Sequence, residues 1–393
     1  MPISTTSSQL YSRSFLLLCL SYAFFGASFN MIIPELPSYL TSLGGAQYKG
    51  LIIALFTLTA GLSRPFSGKL ADLLGRKPVM IFGFLVCIVC SLLYPILTTV
   101  SGFLLLRLIH GFSTGFSPTA IVAYVADIVP IHRRGEAMGI IGVSINVGSS
   151  LSPPFGSLLT NHISLTAMFV GSSFLAFISL LLLVRLNETL AHSHRFHPRQ
   201  LKLKKTEIIH YRAILPAFVC GLSYFGYGAI LTVAPDQSEY LGMTNKGLFF
   251  TSYTLFTVLS RVVAGQISDR YGRLPVMRIA IVLLAISYIY FSYSDTPFHL
   301  IMASGMVGFS IGIVIPSVFA WTADRSEDDN RGKSFATMYI GLEFAIGTGA
   351  ILSAWIYQSN PVNFQATFLT MAVISLLAMF FIREGKRPAS QPG

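Results

Sequence analysis

Charged side chains are rare inside the long apolar stretches of this sequence, so the few found there are the first candidates for chemistry. Glu343 is the one clearly mid-stretch carboxylate. Left ionised and unpaired at that depth it costs about 2.5–3.5 kcal/mol or more, so it suits a site that takes up and releases a proton. The plainer alternative is a salt bridge or hydrogen bond holding its helix to a neighbour. Arg64, Arg107 and Arg261 also fall within apolar stretches. At 100° per residue, Arg107, His110, Thr114 and Ser117 make one polar stripe, which is expected to face a cavity because facing lipid would be costly. His110 is either a proton-exchanging group or a neutral, hydrogen-bonded core histidine. Thr57 shares a helix face with Arg64, and Thr254 and Thr257 share one with Arg261. Such arginines can hold an anionic substrate group, counter Glu343, or snorkel to the interface. The candidates for a cavity wall are Tyr22, Asn30, Thr114, Asn146, Tyr224, Tyr227, Tyr253, Arg261 and Tyr339. Aromatic walls with few polar groups suit an amphipathic organic ligand.

The elements that must position these groups are membrane helices. The chain has 393 residues, 53% hydrophobic and 11% charged, whereas a soluble domain carries about 25% charged residues. A membrane helix needs ~20 mostly apolar residues. Twelve such runs fall near 14–40, 48–67, 79–98, 102–126, 136–160, 164–185, 213–240, 247–267, 275–293, 298–322, 333–357 and 364–383. They are too long for strands and lack period-two alternation. The first run is also too long for a cleavable signal peptide.

The net charge of +11 sits in short loops between these runs. It therefore reads as a topology signal and not as a nucleic-acid surface. With the N-terminus cytoplasmic, the external loops hold only Lys49 and Lys246, and both termini face the cytoplasm. The longest connection, 186–212, carries His192, His194 and His197 beside a basic stretch from Arg195 to Lys205. It reads as a solvated linker touching anionic headgroups, with a metal-binding tract as the alternative. Cys19, Cys87, Cys90 and Cys220 all lie in apolar runs and read as packing residues, without disulfides or a metal site.

The sequence repeats itself. Gly68-Lys69-Leu70-Ala71-Asp72-Leu73-Leu74-Gly75-Arg76 recurs as Gly265-Gln266-Ile267-Ser268-Asp269-Arg270-Tyr271-Gly272-Arg273, an offset of 197 residues. The same offset pairs Gly50 with Gly247, Arg64 with Arg261, Gly111 with Gly308, Asp127 with Asp324 and Arg134 with Arg331. It also sets Arg107 against Ser304 and Glu343 against Asn146. Pro34 matches Pro235 at an offset of 201. Parallel six-helix repeats imply two bundles that rock about a site near the midplane. The expected division is an N-terminal bundle over 1–185, a cytoplasmic linker over 186–212 and a C-terminal bundle over 213–393.

At 68–76 the sequence resembles the loop between the second and third helices of the major facilitator superfamily, G-x-L-a-D-r-x-G-r-k, with Leu73 in place of the first basic residue. Arg107-x3-Gly111-x3-Gly115 is similar to that family's fourth-helix motif. Gly139-x8-Gly148-x3-Ser152-Pro153-x2-Gly156-Ser157 resembles the antiporter motif of its drug/proton exporters, with Ser152 and Ser157 replacing glycines. Ile33-Pro34-Glu35-Leu36-Pro37 resembles the external end of the first helix in its twelve-helix drug/proton antiporters.

The resemblance implies an all-α polytopic membrane protein of the major facilitator fold, with twelve transmembrane helices in two six-helix bundles. It implies a secondary transporter of the cell membrane, working by alternating access as a proton-coupled exporter of a small organic compound. The alternatives are proton symport, facilitated uptake, or a receptor that does not transport. Protons, a small-molecule substrate and the bilayer are the expected partners. A monomer without cofactor, metal or nucleic acid is expected. In proton-coupled members the fourth-helix arginine is linked to proton transfer, which places Arg107 beside Glu343 and His110.

Gly68, Asp72, Gly75, Arg76, Asp269, Arg273, Arg134 and Arg331 are expected to form conformational latches, each aspartate facing a helix start in the opposite half. Glu35 and Asp236 form either an external acidic gate or plain interfacial charges. Enzymatic or ATP-driven function is not expected. Gly332-Lys333-Ser334 has Glu327 where a phosphate-binding loop needs its first glycine.

Overall fold

The computed structural model describes residues 12–130, 133–190, 196–197, 201–202, 209–326 and 331–382, except the side chains at 262–263, 265–266, 269 and 331–332. Most of the 186–212 connection, and the side chains of the latch candidates Asp269 and Arg331, lie outside the described residues.

The described chain is helical throughout. α1 (Arg13–Met31) passes through a 3₁₀ turn at Ile33–Glu35 into the short α2 (Leu36–Ser42). Then come α3 (Lys49–Leu74), α4 (Arg76–Leu93), α5 (Val100–Ile128), α6 (Arg134–His162) and α7 (Leu165–Val184). The second series is α8 (Ile214–Thr232), the short α9 (Ala234–Tyr240), α10 (Leu248–Tyr271), α11 (Arg273–Ser292), α12 (Pro297–Arg325), α13 (Arg331–Tyr357) and α14 (Phe364–Leu377).

The repeat seen in the sequence reappears in the punctuation. Thr99 caps α5 by accepting from the Gly102 amide at 3.1 Å, and its repeat mate Thr296 caps α12 by accepting from His299 at 3.2 Å. Pro34 and Pro235 sit where α1 gives way to α2 and α8 to α9, because proline cannot donate the helical hydrogen bond. Gly75 and Gly272 turn the chain between α3 and α4 and between α10 and α11 with φ of +117° and +86°, a region other residues rarely enter.

Among the described residues, nine stretches are long and apolar enough to cross a membrane. α5, α6 and α10 do not pass that composition test. They carry the Arg107 stripe, the glycine-serine motif and Arg261, so their polarity is concentrated where the candidate groups lie. Large side chains such as Leu62, Phe174, Ile279 and Phe380 stand exposed on the outer faces, a surface suited to lipid.

Packing follows the same two-fold logic. α1 packs on α6 and α7, α3 on α5, and α4 on α5 and α7. In the second copy α8 packs on α13 and α14, α10 on α12, and α11 on α12 and α14. Small residues make these approaches close. A Cβ added at Gly111 would come within 2.1 Å of the Phe56 carbonyl oxygen, and one at its mate Gly308 within 2.0 Å of the Tyr253 oxygen. The halves meet through α3 against α13 and α6 against α10, two contacts that the repeat exchanges. Gly50 lies against Ala350 at one, and its mate Gly247 against Pro153 and Pro154 at the other.

Candidate functional site

A cavity of about 210 Å³ lies between the halves. From the first half it is lined by Phe29, Asn30, Ile33, Asn146, Ser149 and Pro153. The second half supplies Tyr224, Tyr227, Phe250, Tyr253, Thr254, Thr257 and Arg261. The tyrosines form one wall: the Tyr227 ring stacks on Tyr253 at 5.0 Å and meets Tyr224 edge-on at 5.7 Å. Asn30 donates to Ser149 Oγ at 2.9 Å, tying α1 to α6. Asn146 Nδ2 and Arg261 Nε are buried without a hydrogen-bond partner among the described residues. Of the residues expected here, Asn30, Asn146, Tyr224, Tyr227, Tyr253 and Arg261 line the cavity.

Tyr22, Thr114 and Tyr339 are not among the lining residues. Thr114 turns back on its own helix and donates to the Gly111 carbonyl at 3.3 Å. Tyr22 and Tyr339 instead stand beside an ion pair that crosses the halves. Arg64 Nη2 donates to Glu343 Oε1 at 2.7 Å, and each side chain is 11% exposed. The Arg64 guanidinium lies over the Tyr339 ring at 4.6 Å. Gly61 leaves room for the pair, since a Cβ there would lie 3.2 Å from Glu343 Cβ. Arg64 therefore does not snorkel: it is the counter-charge of the mid-helix carboxylate. Tyr339 stands within electrostatic reach of both Arg64 and Arg261.

The Arg107 stripe does not line the cavity, contrary to expectation. Arg107 is 2% exposed and donates from Nε to the Ile52 carbonyl of α3 at 2.8 Å, with its guanidinium over Phe56 at 4.5 Å. Its Nη1 reaches Tyr94 Oη at 3.4 Å, Tyr94 pairs with His110 Nδ1 at 3.2 Å, and His110 Nε2 meets Cys87 Sγ at 3.4 Å. Ser117 donates to the Met80 carbonyl at 3.3 Å. The physical reason is that helical periodicity fixes a shared face but not its neighbour, and α3 and α4 cover this one. The repeat mate Ser304 likewise donates to the carbonyl of Phe249, itself the mate of Ile52, at 2.7 Å. Arg107 and Ser304 thus make the same backbone bond in the two copies.

At the end opposite the repeated Gly-Asp-Gly-Arg turns, charges cross between halves. Lys49 of the first half pairs with Asp236 of the second. Lys246, the repeat mate of Lys49, stands 3.7 Å from Glu35, the counterpart of Asp236. Glu35 also accepts from Ser157 Oγ at 2.7 Å, and Lys246 donates to Glu239 at 2.6 Å. Asn161 Nδ2 donates to the Thr244 carbonyl at 2.5 Å, and Thr251 Oγ1 to that of Ser150 at 2.6 Å. Glu35, which is buried, and Asp236, which is half-buried, are therefore each paired with a lysine of the opposite half. The sequence offered the signal for the two lysines it missed, because Lys49 and Lys246 stand 197 residues apart.

At the turn end, ion pairs among the described residues stay within one half. Arg76 pairs with Asp72 at 2.8 Å and Asp127 at 3.1 Å, and Arg273 pairs with Asp324 at 2.5 Å. Asp72 is 72% exposed on its side chain, and its partner is Arg76 rather than a helix start across the interface. Arg134 is exposed, and a Cβ added at Gly68 would make only ordinary contact with Thr119, at 3.7 Å. The Gly75 turn cradles Glu188, whose carboxylate accepts from the amides of Arg76 at 3.0 Å and Lys77 at 2.9 Å.

Comparison with known proteins agrees with this architecture. The family model described as Major Facilitator Superfamily matches residues 18–244 and 216–393. Multidrug resistance protein MdtG of Salmonella dublin is 27% identical over 376 residues, covering 89% of this chain and 90% of that protein. MdtG of Klebsiella pneumoniae strain 342 is 26% identical over 384 residues, covering 93% and 92%. Among solved structures, a D-xylose-proton symporter superposes with a TM-score of 0.75 at 16% identity, covering 94% of this chain and 96% of that one. The human organic anion transporter MFSD10 superposes at 0.69 with 20% identity, covering 94% and 99%. With its repeated helices, inter-half cavity and crossed charges, the chain belongs to the Major Facilitator Superfamily, as a multi-pass membrane transporter and not an enzyme.

Proposed function

We propose that this chain is a proton-coupled exporter of a small organic or amphipathic compound, working by alternating access. In this reading twelve spans form two six-helix bundles, 1–185 and 213–393, joined by a cytoplasmic linker at 186–212. Both termini are cytoplasmic and the monomer is the working unit. The observation that carries the proposal is the Arg64–Glu343 pair, at 2.7 Å and nearly shielded from solvent, placed where the halves meet. Protonating Glu343 cancels its charge and leaves Arg64 without a counter-ion, so the pair links a proton to the α3–α13 junction. One charge moved across 100 mV is worth about 2.3 kcal/mol, enough for modest accumulation.

The ion pairs and hydrogen bonds between halves at the Lys49–Asp236 end support a conformation closed to the outside. The intra-half pairs of Asp72, Arg76 and Arg273 support cytoplasmic latches that are disengaged in this state and cross only in the opposite one. Arg107 and His110 act with Glu343 indirectly, by fixing α3 through Ile52. Likeness to the multidrug resistance proteins favours export.

The test is flux in proteoliposomes of defined orientation. An imposed proton gradient should drive substrate against the direction of proton flow. Movement with the proton would replace export by symport, gradient-independent flux would leave a facilitator, and absence of flux would leave a receptor.

A further inference from the structure

The two copies treat one position differently. In the α3–α13 contact, Arg64 receives a carboxylate from the opposite half, Glu343. The repeat maps Arg64 onto Arg261 and Glu343 onto Asn146, and it maps the α3–α13 contact onto α10–α6. At this second junction the partner from the opposite half is an amide. Arg261 has no carboxylate within ion-pair distance among the described residues, and no carboxylate lines the cavity that Arg261 and Asn146 share. Both Asn146 Nδ2 and Arg261 Nε are buried donors without partners, so the unmet groups here all donate. (Arg64 Nε is also unpaired, but its guanidinium already holds a carboxylate through Nη2.)

We infer that the transported compound is an aromatic organic anion whose carboxylate takes, against Arg261 and Asn146, the role that Glu343 plays against Arg64. The inference rests on the transporter reading above and names the substrate class of that site. A half-buried guanidinium without a counter-charge, its Nε shielded and unpartnered, is costly, and a ligand carboxylate reduces that cost while accepting from the free donors. Thr257 spends its hydroxyl on the Tyr253 carbonyl at 2.8 Å, and among the lining residues Arg261 and Asn146 are the two that hold buried, unpartnered donors, which makes them the anchoring pair. The Tyr224, Tyr227 and Tyr253 rings supply a wall for a flat apolar body. A cationic compound would meet an unneutralised arginine and no acid, and is disfavoured.

The test uses three ligands of one shape, 2-naphthoate, 2-naphthamide and 2-naphthylmethylammonium, titrated against the purified full chain by calorimetry and thermal shift. The carboxylate should bind about tenfold or more tighter than the amide, and the amine least. Asn146→Glu should place the missing acid against Arg261, weaken naphthoate binding by about tenfold or more and leave the melting temperature unchanged or raised. Arg261→Gln should remove the preference for carboxylate over amide. Equal or tighter binding of the amide or amine, or an Asn146→Glu variant that keeps full naphthoate affinity, overturns the inference. Proton-gradient-driven flux of each ligand is scored separately. Flux of the amine alone would sustain the transporter reading and overturn the anion, whereas carboxylate-selective binding without proton-driven flux would sustain the anion site and overturn proton coupling.

Discussion

Arg64 of α3 and Glu343 of α13 form a 2.7 Å ion pair across the two halves, each side chain 11% exposed, with Tyr339 beneath the guanidinium. Breaking a buried pair from one side leaves an uncompensated charge and costs about 3–5 kcal/mol, whereas removing both charges costs much less. Arg64→Gln should therefore destabilise the protein strongly, and the double variant Arg64→Gln with Glu343→Gln should recover most of the loss. A thermodynamic cycle on detergent-solubilised protein checks this. Additive losses would show that the contact carries no coupling.

The crossed ion pairs of Lys49 and Lys246 make a charge-swap prediction. On the proposed topology, Lys49→Glu opposes Asp236 and should open the Lys49–Asp236 end, raising external maleimide labelling of a cysteine placed at Ser149 by about tenfold or more, in a background without native cysteines. Adding Asp236→Lys should restore slow labelling. The related swap of Lys246 and Glu35 should restore less, because Glu35 also accepts from Ser157 and Lys246 also serves Glu239. Full restoration in both swaps would show that those extra bonds do not matter.

Two glycines set how closely the halves approach. A Cβ at Gly247 would meet backbone atoms of Pro153 and Pro154 at 2.2 Å, and one at Gly50 would meet Ala350 O at 2.8 Å. Backbone cannot yield as a side-chain tip can, and overpacking costs about 1–3 kcal/mol. Gly247→Ala should part the halves at the Lys49–Asp236 end, the outward-open state on the proposed topology, and Gly50→Ala should do so less. Distance distributions between spin labels at the loop ends of α3 and α10 measure the shift. An unchanged distribution in Gly247→Ala would contradict the packing account.

Much of the scaffold was legible because lipid imposes it. Nine of the described stretches are long and apolar enough to cross a membrane, and the 197-residue register carried the caps at Thr99 and Thr296 and the turns at Gly75 and Gly272. Of the expected cavity wall, Tyr224, Tyr227, Tyr253 and Arg261 line the cavity, whereas Tyr22, Thr114 and Tyr339 do not, because polar and aromatic groups in such helices also bond within their own helix or stand beside an ion pair. What failed was adjacency. Periodicity grouped Arg107, His110, Thr114 and Ser117 but could not say that α3 and α4 would cover them. Arg107 and Ser304 differ in residue type at one repeat position, yet both donate to the same carbonyl position. Lys49 and Lys246 were visible as topology markers, but only folding joins each to an acid of the other half.

The central claim is that Glu343 carries the proton. Glu343→Gln keeps shape and hydrogen bonding but cannot ionise. In proteoliposomes loaded with a transported compound, this variant should exchange substrate at equal pH on both sides, while a pH gradient drives no net accumulation. The wild-type chain should show both activities. Gradient-driven accumulation at the wild-type level in Glu343→Gln would contradict the account.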